Sequence, residues 1–469
     1  MASHIVDGAA FRVRRALWEL SDWGLKRRIQ WLRYLDHLII SRKDQILVAV
    51  AADKKVSEHQ VLLNEYAVVR LLCRYYIKNA YRILRDEDRS GFFSFWNWIN
   101  KNKRSVVKKE PFGVVGIISP GNYPFSLAIG NVIPAILAGN AVILKPAPER
   151  KETNKLVGDL IAMSLESFKA RKIFEILPSD DHLGQDIVCS RLIDKIHFTG
   201  SVQTGHWIFE ENRKIRFVQP TLELGGSNPA IVLEDADIAE AARVIFWARF
   251  CGMSCNNIKR VFAVGSVYKK LLAALVVELG KLQLHELEPI SEREMYHYTL
   301  FTSDYLYHLE SRFSAADWYD FKPKILRIDD PSPNLLVLQE ETFVPLLPVV
   351  RVKDEAEAIS RSNNSQFGLG ASVFTKDKKR FLRIAGQLDC GGVFHNDAMT
   401  EFAQTQLPFG GRKNSGFGYV HGPEGLLEFV QLKVIIMDRW RAPKLHLYPW
   451  TSGKMKWLRK FIDWIVKFS

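Results

Sequence analysis

Apolar residues recur at helical spacing over the first part of the chain. The spacing predicts helices over Ala16–Ile40 and Lys43–Leu84, because apolar side chains three or four positions apart form one face of a helix. An aromatic-rich segment, Phe92–Ile99, leads into the basic stretch Lys101–Glu110. The lysines of this stretch are typical of an edge strand, where charge prevents pairing with other chains, and a linker is the alternative.

From Pro111 onward, short runs of β-branched residues alternate with helical patterns. The predicted strands are GVVGIIS, AVILK, IFEIL, KIHFTGS, AIVL, RVFAV, LLVL, LPVVRV, ASVFT and GGVFHN. The predicted helices are Tyr123–Leu137, Thr153–Lys169, Ile238–Arg249, Tyr268–Leu282, Ala356–Asn363 and Lys378–Gln387. Such alternation is typical of parallel sheets covered by helices on both faces. It predicts two tandem doubly wound α/β domains, the second beginning after Gly226, whereas residues 283–330 show no interpretable pattern.

The composition is that of an ordinary globular protein. Of 469 residues, 47% are hydrophobic and 25% charged, which excludes a disordered tail, a collagen-like fibre and a small disulfide scaffold. The five cysteines are scattered and odd in number, and they are Cys73, Cys189, Cys251, Cys255 and Cys390. This usage argues against a disulfide framework and favours a reducing compartment. The absence of a C-x-x-C pair or histidine cluster predicts no metal site.

The net charge of +13 favours contact with anions such as phosphate-bearing cofactors, nucleic acid or an anionic membrane. The sequence has no recognisable nucleic-acid-binding motif, so nucleic acid is not an expected partner. It also has no signal-peptide pattern at the start and no uncharged run long enough to span a bilayer. These features predict a cytoplasmic protein.

Three residues are candidates for catalysis. Cys255, in GMSC, offers a nucleophilic thiolate, although most cysteines are small buried apolar residues. Glu223 precedes two glycines in TLELGGSNP, where burial would suit it to act as a general base, and a strand-end ion pair is the alternative. Asn122, in SPGNYPF, could donate to an oxyanion or simply serve as a turn residue.

Two further features are typical of phosphate-bearing ligands. In FTGSVQTG, a strand ends at Gly200 and a helix follows, so that backbone N–H groups could hold a pyrophosphate. A plain strand-to-helix turn is the alternative. Lys145 closes the AVILK strand at the edge where open α/β sheets bind ligands, and a solvated lysine is the alternative.

The order of these motifs resembles that of the NAD(P)-dependent aldehyde dehydrogenase superfamily. The matching stretches are PFGVVGIISPGNYPFSLAIGNVIPAILAGNAVILKPAPE, IHFTGSVQTG, LELGGSNPAIVLEDADI, GMSCNNIKRVFAV, EETFVP, GGVFHND and LPFGGRKNSGFG. They follow the family's order over Pro111–Asp438. The motif NYPFS and the short N-terminus are most similar to the class 3 branch.

The resemblance implies a mechanism in which an aldehyde is oxidised to a carboxylic acid through a cysteine thiohemiacetal and a thioester, with hydride transfer to NAD or NADP. It implies that Cys255 is the nucleophile, that Glu223 is the base for deacylation, and that Asn122 donates to the oxyanion with the backbone N–H of Cys255. The cofactor site would contain Lys145 at the adenosine ribose, Phe198, Gly200 and Ser201 around the pyrophosphate, and Glu341 and Phe343 at the nicotinamide riboside.

The resemblance also implies a domain plan and a homodimer or homotetramer. Residues 1–100 and 111–223 would form the Rossmann-like cofactor domain and 224–426 the catalytic domain. Residues 101–110 and 427–440 would form a small β-flap for oligomerisation, and 441–469 a tail.

The chain departs from the family pattern at several positions. The residues that differ are Met253 in place of the usual Gln, Val344 in place of a common Gly, Ser227 in place of a frequent Lys, Gly121 in place of the usual Trp, and Pro148 in place of a Glu that often binds the adenosine ribose. Without that carboxylate, a 2′-phosphate is not repelled, so the sequence does not separate NAD from NADP, and the expected cofactor is NAD or NADP. A CoA-acylating dehydrogenase and a catalytically silent scaffold are the alternative functions.

The last seventeen residues, Gly453–Ser469, predict a basic amphipathic helix. Its apolar face would carry Trp457, Leu458, Phe461, Ile462, Trp464, Ile465 and Phe468. Peripheral contact with an anionic membrane surface is one hypothesis, and docking on protein is the other.

Overall fold

The computed structural model describes residues 4–90, 102–250, 252–282, 298, 300, 301, 323–329, 335–441 and 449–466. The predicted features at Phe92–Ile99 and Cys251, most of 283–330 and part of the tail lie outside these residues.

The predicted helices from Tyr123 onward are present, with ends shifted by a few residues. The two predicted N-terminal helices are each divided, Ala16–Ile40 by a turn at residues 22–24 and Lys43–Leu84 by a turn at residues 55–57. The α-helices of the described ranges are α1 His4–Arg15, α2 Trp18–Ser21, α3 Leu25–Ser41, α4 Lys43–Lys54, α5 Glu58–Val61, α6 Ala67–Leu84, α7 Pro124–Ala138, α8 Lys151–Glu166, α9 Asp181–Cys189, α10 Val202–Ile215, α11 Ile238–Phe250, α12 Gly265–Leu279, α13 Leu336–Gln339, α14 Glu355–Asn363, α15 Lys378–Ala385, α16 Gly422–Leu427 and α17 Ser452–Val466. A π-helical turn, Leu62–Tyr66, joins α5 to α6, and a 3₁₀ turn, Arg171–Ile173, precedes a strand.

Two large sheets form the centre of the fold. The strands are β1 Glu87–Asp88, β2 Lys103–Pro111, β3 Val114–Ile118, β4 Ala141–Lys145, β5 Phe174–Ile176, β6 Lys195–Thr199, β7 Thr221–Glu223, β8 Asn228–Val232, β9 Ile258–Val264, β10 Lys324–Ile328, β11 Leu346–Val352, β12 Phe367–Gly368, β13 Gly370–Phe374, β14 Gly392–His395, β15 Arg412–Lys413, β16 Gly416–Phe417 and β17 Val430–Asp438.

In the part of the chain that the structure describes, each large sheet has six strands. The first sheet has the order β16-β7-β6-β3-β4-β5, parallel except for β16, which pairs antiparallel with β7. The second has the order β10-β11-β9-β8-β13-β14 and is parallel throughout. Each sheet belongs to its own large hydrophobic cluster. The predicted α/β class with two doubly wound sheets is therefore confirmed.

The N-terminal helices complete the first layered unit. Trp31 on α3 is fully buried, and its indole N–H donates to the Ser164 hydroxyl on α8 at 3.0 Å. The helix α7 lies between this helical layer and the sheet, which explains why nearly all of its side chains are buried.

Three predictions of local structure need correction. The basic stretch forms β2, but β2 lies between β1 and β17 in the order β1-β2-β17, so it is not an edge strand. The run LLVL forms the short helix α13 rather than a strand, because a four-residue apolar run satisfies either period when both faces are buried. The strand β10, in the region without a pattern, pairs with β11 along the edge of the second sheet.

None of the helices among the described residues combines the length and apolar content needed to cross a bilayer. Within the same residues, no group of three or more His, Cys, Asp or Glu side chains is arranged to hold a metal ion.

Candidate active site

The loop that carries Cys255 joins α11 to β9. Cys255 itself is half-buried. Three side chains from other parts of the chain hold the carbonyl oxygens of this loop. The Asn122 amide Nδ2 donates to the Met253 carbonyl at 3.2 Å, the Lys259 Nζ donates to the Cys255 carbonyl at 3.2 Å, and the Asn228 Nδ2 donates to the Asn256 carbonyl at 2.9 Å. The position of the thiol is therefore fixed before any ligand binds.

Asn122 lies in the loop after β3, and its amide group has two partners. While Nδ2 reaches the Met253 carbonyl, Oδ1 accepts the Tyr123 backbone N–H at 3.0 Å. These bonds bring the carboxyl end of the first sheet against the Cys255 loop, two residues before the thiol. The structure thus places the predicted oxyanion donor beside the predicted nucleophile.

Glu223, the last residue of β7, is only 5% exposed. Neither of its carboxylate oxygens has a hydrogen-bond partner among the described residues. Burial raises the pKa of Glu223 well above its ordinary value, and the charge of Glu428 raises it further. A carboxylate with a raised pKa is a stronger base than an exposed one, because it binds a proton more tightly.

The Cys255 thiol lies in the field of several ionisable groups. Burial raises the pKa of the Cys255 thiol to about 12, Lys259 opposes the rise, and Glu341, Glu223 and Glu401 add to it. The thiol therefore needs a proton acceptor within the site to become a nucleophile at neutral pH.

Two glycines let the walls of the site approach each other. A Cβ at Gly226 would lie 2.7 Å from the Cys255 carbonyl oxygen, and a Cβ at Gly225 would lie 1.9 Å from a Glu341 carboxylate oxygen. Because Gly225 and Gly226 have no side chains, Glu341 and the Cys255 loop can pack against the backbone two and three residues after Glu223.

Glu341 and Phe343, predicted at the nicotinamide riboside, share a buried lysine that the sequence analysis missed. The fully buried Lys259 donates to Glu341 Oε1 at 2.8 Å, and its ammonium lies 4.5 Å from the centre of the Phe343 ring. Glu341 Oε1 also accepts the Gly226 N–H at 3.0 Å. Lys259 lies four residues after Cys255, but an isolated lysine at a strand start gives no signal of burial.

Arg249, near the end of α11, was also missed. Its buried guanidinium donates to the carbonyls of Leu346 at 2.8 Å, Thr342 at 3.2 Å and Val344. The departure at Val344 is thus accommodated, since its carbonyl is held by Arg249 and its side chain is buried in the second core. Burial lowers the pKa of Arg249 to about 9.

The other predicted cofactor residues, Lys145, Phe198, Gly200 and Ser201, lie along the carboxyl edge of the first sheet. Lys145, buried at the end of β4, donates to Asp181 at 2.8 Å. Ser201 caps α10 by accepting the Thr204 N–H at 3.2 Å. The Gly200 N–H donates to the Glu223 carbonyl at 3.0 Å, and a Cβ at Gly200 would lie 2.4 Å from the Phe198 ring.

Two buried hydroxyls at this edge support its fit to a phosphate-bearing ligand. Ser119 Oγ, after β3, and Thr199 Oγ1, at the end of β6, have no partner within the described ranges. Each of the two residues comes directly after a member of the strand pair Ile118–Phe198, so they lie at the same end of neighbouring strands. Together with Lys145 and the N-terminus of α10, they form a set of donors that a dinucleotide could satisfy.

The departure at Gly121 does not leave open space. A Cβ there would lie 1.8 Å from a Glu149 carboxylate oxygen, and the Arg150 Nε donates to the Gly121 carbonyl at 2.7 Å. The room that a side chain at position 121 would need is therefore taken by Glu149.

The thiol also borders an apolar surface from the C-terminal third of the chain. Leu369, Phe409 and Val420 form a small cluster, against which Phe402 and Cys255 pack. Phe402 is edge-on to Phe409, with ring centres 5.2 Å apart. We call these four residues (Leu369, Phe402, Phe409 and Val420) the aromatic wall.

Comparison with known proteins identifies the family. A model of the aldehyde dehydrogenase family matches residues 2–293 and 310–435. The chain belongs to the aldehyde dehydrogenase family. It is an NAD(P)-dependent enzyme that oxidises an aldehyde to a carboxylic acid.

Individual relatives cover nearly the whole enzyme. The chain is 32% identical to a 4,4′-diapolycopene aldehyde oxidase from Methylomonas sp, over 96% of this chain and 85% of that protein. It is 27% identical to aldehyde dehydrogenase family 3 member A2 from Mus musculus, over 97% and 94% of the two chains. The predicted similarity to the class 3 branch is thus confirmed.

Solved structures confirm the dehydrogenase fold. A Mycobacterium tuberculosis aldehyde dehydrogenase complexed with NAD⁺ superposes with a TM-score of 0.81 at 27% identity, covering 93% of this chain and 91% of that one. An Escherichia coli NADP-dependent enzyme superposes with a TM-score of 0.82 at 25% identity, covering 92% and 90%.

Proposed function

We propose that Cys255 is the nucleophile of this dehydrogenase, with Asn122 and Glu223 as its catalytic partners. One observation carries the assignment: the Asn122 loop, the Glu223–Gly226 segment and the Lys259–Glu341 pair all meet the short loop that holds this thiol. The thiolate attacks the aldehyde carbon, and the carbonyl oxygen becomes an oxyanion. Asn122 Nδ2 and the backbone N–H of Cys255 donate to that oxyanion, with Nδ2 leaving the Met253 carbonyl as substrate arrives.

Glu223 acts in the second half of the reaction. After hydride loss, the acyl group remains on Cys255 as a thioester. Glu223 takes a proton from a water molecule, whose oxygen attacks the thioester carbon and releases the carboxylic acid and the thiol. The unpartnered, buried carboxyl of Glu223 supports this role, because its raised pKa makes it a competent base.

The carboxyl edge of the first sheet would hold NAD or NADP, and the bound cofactor would supply the hydride acceptor. We assign Lys145 to the adenosine ribose, Phe198, Gly200 and Ser201 to the pyrophosphate region, and Glu341 and Phe343 to the nicotinamide riboside. The relatives that contain NAD⁺ and depend on NADP support both cofactors. Because Glu341 already binds Lys259 and Gly226, it contributes to the ribose site through its second oxygen.

The domain plan follows the two sheets. We propose residues 1–100 and 111–223 as the cofactor domain, 224–426 as the catalytic domain, and 101–110 with 427–440 as the oligomerisation flap. The strands β3–β7 in one sheet and β8–β14 outside it support this division, although the short β16 returns to the first sheet.

The flap supports a homodimer or homotetramer. The strand β17 lies at the edge of its sheet, and its Leu432, Val434 and Ile436 side chains are 66%, 64% and 62% exposed. An exposed apolar edge strand is suited to pairing with another copy. Light scattering tests this proposal: a Val434→Lys variant should elute as a monomer, and an unchanged mass would contradict it.

The helix α17 is proposed to contact a membrane surface, while the enzyme itself stays in the cytoplasm. Trp457, Ile462 and Trp464 are exposed, and four lysines and arginines accompany them on the helix. The cysteines that the structure describes are free thiols, which supports a reducing compartment. Sedimentation with anionic vesicles should deplete the full chain but not a chain ending at Ser452. Equal depletion of both would favour the docking alternative.

An aldehyde panel with NAD and NADP tests the function directly. Reduced cofactor should appear at 340 nm together with one equivalent of carboxylic acid. The CoA-acylating alternative would give acyl-CoA when CoA is present, and a silent scaffold would bind cofactor without forming product.

A further inference from the structure

Glu401 is a second buried acid at the active site, and the mechanism above does not use it. It lies between β14 and β15 and is 9% exposed. Its Oε1 accepts a hydrogen bond from the Asn256 amide Nδ2 at 2.9 Å. Its Oε2 has no partner within the described part of the chain. A buried carboxyl oxygen without a partner lowers the free energy of unfolding, so its presence in a folded protein points to a role in the site.

Glu401 reaches the nucleophile through adjacent contacts. Asn256, which binds Glu401, directly follows Cys255, and Phe402, which directly follows Glu401, packs against the same apolar cluster as Cys255. The Ser254 hydroxyl donates to Asn256 Oδ1, which leaves Nδ2 to face the carboxyl. Because Nδ2 is a donor, Oε1 acts as an acceptor, and Oε2 is the oxygen that can carry a proton.

The surrounding charges distinguish Glu401 from the other acids. Burial raises the pKa of Glu401 to about 7, the Asn256 hydrogen bond opposes the rise, and Asp397 adds to it. Burial raises the pKa of Glu223 well above its ordinary value, and the Glu341 carboxylate is paired with Lys259.

One histidine lies against the same segment. His421 packs on Phe402, with ring centres 4.6 Å apart, and burial lowers the pKa of His421 to about 4. It is therefore neutral near pH 7 and adds no charge to the surroundings of Glu401 there.

We propose that Glu401 is the proton acceptor that activates Cys255, and that the thiol and the carboxyl share one proton. In this step the S–H bond breaks, the electron pair remains on sulfur, and an O–H bond forms at Glu401 Oε2, directly or through one water molecule. Glu223 then remains free to activate water for deacylation. This inference rests on the proposed role of Cys255 as the nucleophile. It divides the two proton transfers of the reaction between two carboxyls.

Alkylation of the full-length enzyme by iodoacetamide, without aldehyde, measures the thiolate directly. Mass spectrometry of the Cys255 peptide would follow the rate from pH 5.5 to 10. The wild type should show a rise with a midpoint near pH 7, because the pair loses its first proton there. In E401Q the midpoint should move up by at least two pH units, and the rate at pH 7.5 should fall by roughly tenfold or more.

Three variants make the result specific. Gln at position 401 keeps an acceptor for Asn256 Nδ2 but cannot bind the proton, and E401D should recover part of the low-pH rise. E223Q should keep the wild-type midpoint. E210Q, an exposed carboxyl paired with Arg213 on α10, should match the wild type throughout.

The sign of the change decides the proposal. If Glu401 only repels the thiolate, E401Q would alkylate as fast as the wild type or faster at pH 7.5, and the proposal would be overturned. Loss of the midpoint in E223Q instead of E401Q would also overturn it. Failure of the proposed function gives a different result, namely aldehyde oxidation that survives in C255S.

Discussion

The two sides of the active site differ in how far their buried polar groups have hydrogen-bond partners within the protein. On the side of the first sheet, Ser119, Thr199 and Glu223 are buried without hydrogen-bond partners among the described residues. On the side of the second sheet, Arg249 and Lys259 are buried, and each donates to three acceptors. The Cys255 loop and the loop that carries Glu341 are thus held by hydrogen bonds within the protein, with Glu401 Oε2 as an exception on that side, whereas the opposite side keeps hydrogen-bonding capacity for a ligand.

This difference has an energetic meaning. A buried polar group without a partner costs about 1–3 kcal/mol, so the first side is less stable than its packing would allow. A bound dinucleotide and water would supply the missing partners there. On the second side, the buried Arg249 and Lys259 already have their acceptors. They therefore stabilise the fold, and a ligand need not reorganise them.

The largest loss of activity is expected on the second side, from Cys255→Ser. Removal of the thiolate should lower kcat at least ~10³-fold, because a serine hydroxyl has no comparable nucleophilicity without a dedicated base. Cofactor absorbance assays would measure the loss. Cys390→Ser is the matched control and should retain activity, since Cys390 is buried in the second core and its thiol donates to the Gly392 carbonyl. Equal activity of both variants would contradict the assignment.

Glu223→Gln should slow the second half of the reaction by roughly 10²–10⁴-fold, the usual contribution of a general base. Hydride transfer itself should survive. Rapid-mixing experiments should then show a burst of about one reduced cofactor per site, followed by a slow steady state. A variant without a burst would place Glu223 in the first half of the reaction instead.

Asn122→Ala should reduce kcat by roughly 10²–10³-fold, as expected for the loss of one oxyanion donor. The affinity for cofactor should change little, because the Asn122 amide bonds to the Met253 carbonyl and the Tyr123 N–H rather than to a residue assigned to the cofactor. A fluorescence titration with the reduced cofactor provides the control. A large loss of cofactor affinity would argue that the loop has moved rather than that a donor is missing.

A pair of stability variants tests the contrast itself. Arg249→Met removes the guanidinium that donates to three buried carbonyls and should lower the free energy of unfolding by about 3 kcal/mol or more. Thr199→Val removes an unpartnered hydroxyl and should leave that free energy unchanged or raise it by up to ~1 kcal/mol. Urea unfolding measures both. Destabilisation by Thr199→Val would mean that this hydroxyl has a partner after all.

The smallest effect concerns pH and His197, a fully buried residue of β6. Burial lowers the pKa of His197 to about 3, with Lys195 contributing. Below the ordinary histidine pKa of 6.5, His197 binds a proton in the unfolded chain but stays neutral in the folded chain. Through His197, the free energy of unfolding is therefore highest above pH 6.5 and falls by up to about 1.4 kcal/mol per pH unit below it.

His197→Phe should flatten this dependence. The ring is stacked on Phe429 at 5.7 Å between ring centres, so an aromatic replacement keeps the packing. Unfolding at pH 7 and pH 5 provides the comparison, and an unchanged slope would assign the effect to other groups, such as His421.

The sequence was informative where a pattern extends over many residues. The alternating strands and helices from Pro111 onward, and the ordered motifs around Asn122, Glu223 and Cys255, predicted the sheets and the family. The run LLVL failed because four apolar residues contain too little periodicity to separate a strand from a buried helical turn. The position of β2 within its sheet depends on β17, more than 300 residues later, and local charge does not report it.

The supporting residues of the site were hidden for a related reason. Lys259, Arg249 and Glu401 are charged residues, and charged side chains are usually exposed. Their burial follows from acceptors and donors that the fold brings together from distant segments, such as the Val344 carbonyl and the Asn256 amide. A single sequence does not show these pairs.

The glycine pair after Glu223 has a consequence for engineering. Directed evolution of a broader substrate range depends on positions that can change size without moving the reacting groups. At Gly225 and Gly226 even a methyl group would collide with Glu341, Leu369 and the Cys255 backbone. Saturation libraries at these two codons should consist almost wholly of inactive clones, whereas Phe402 and Leu369 of the aromatic wall offer replaceable volume.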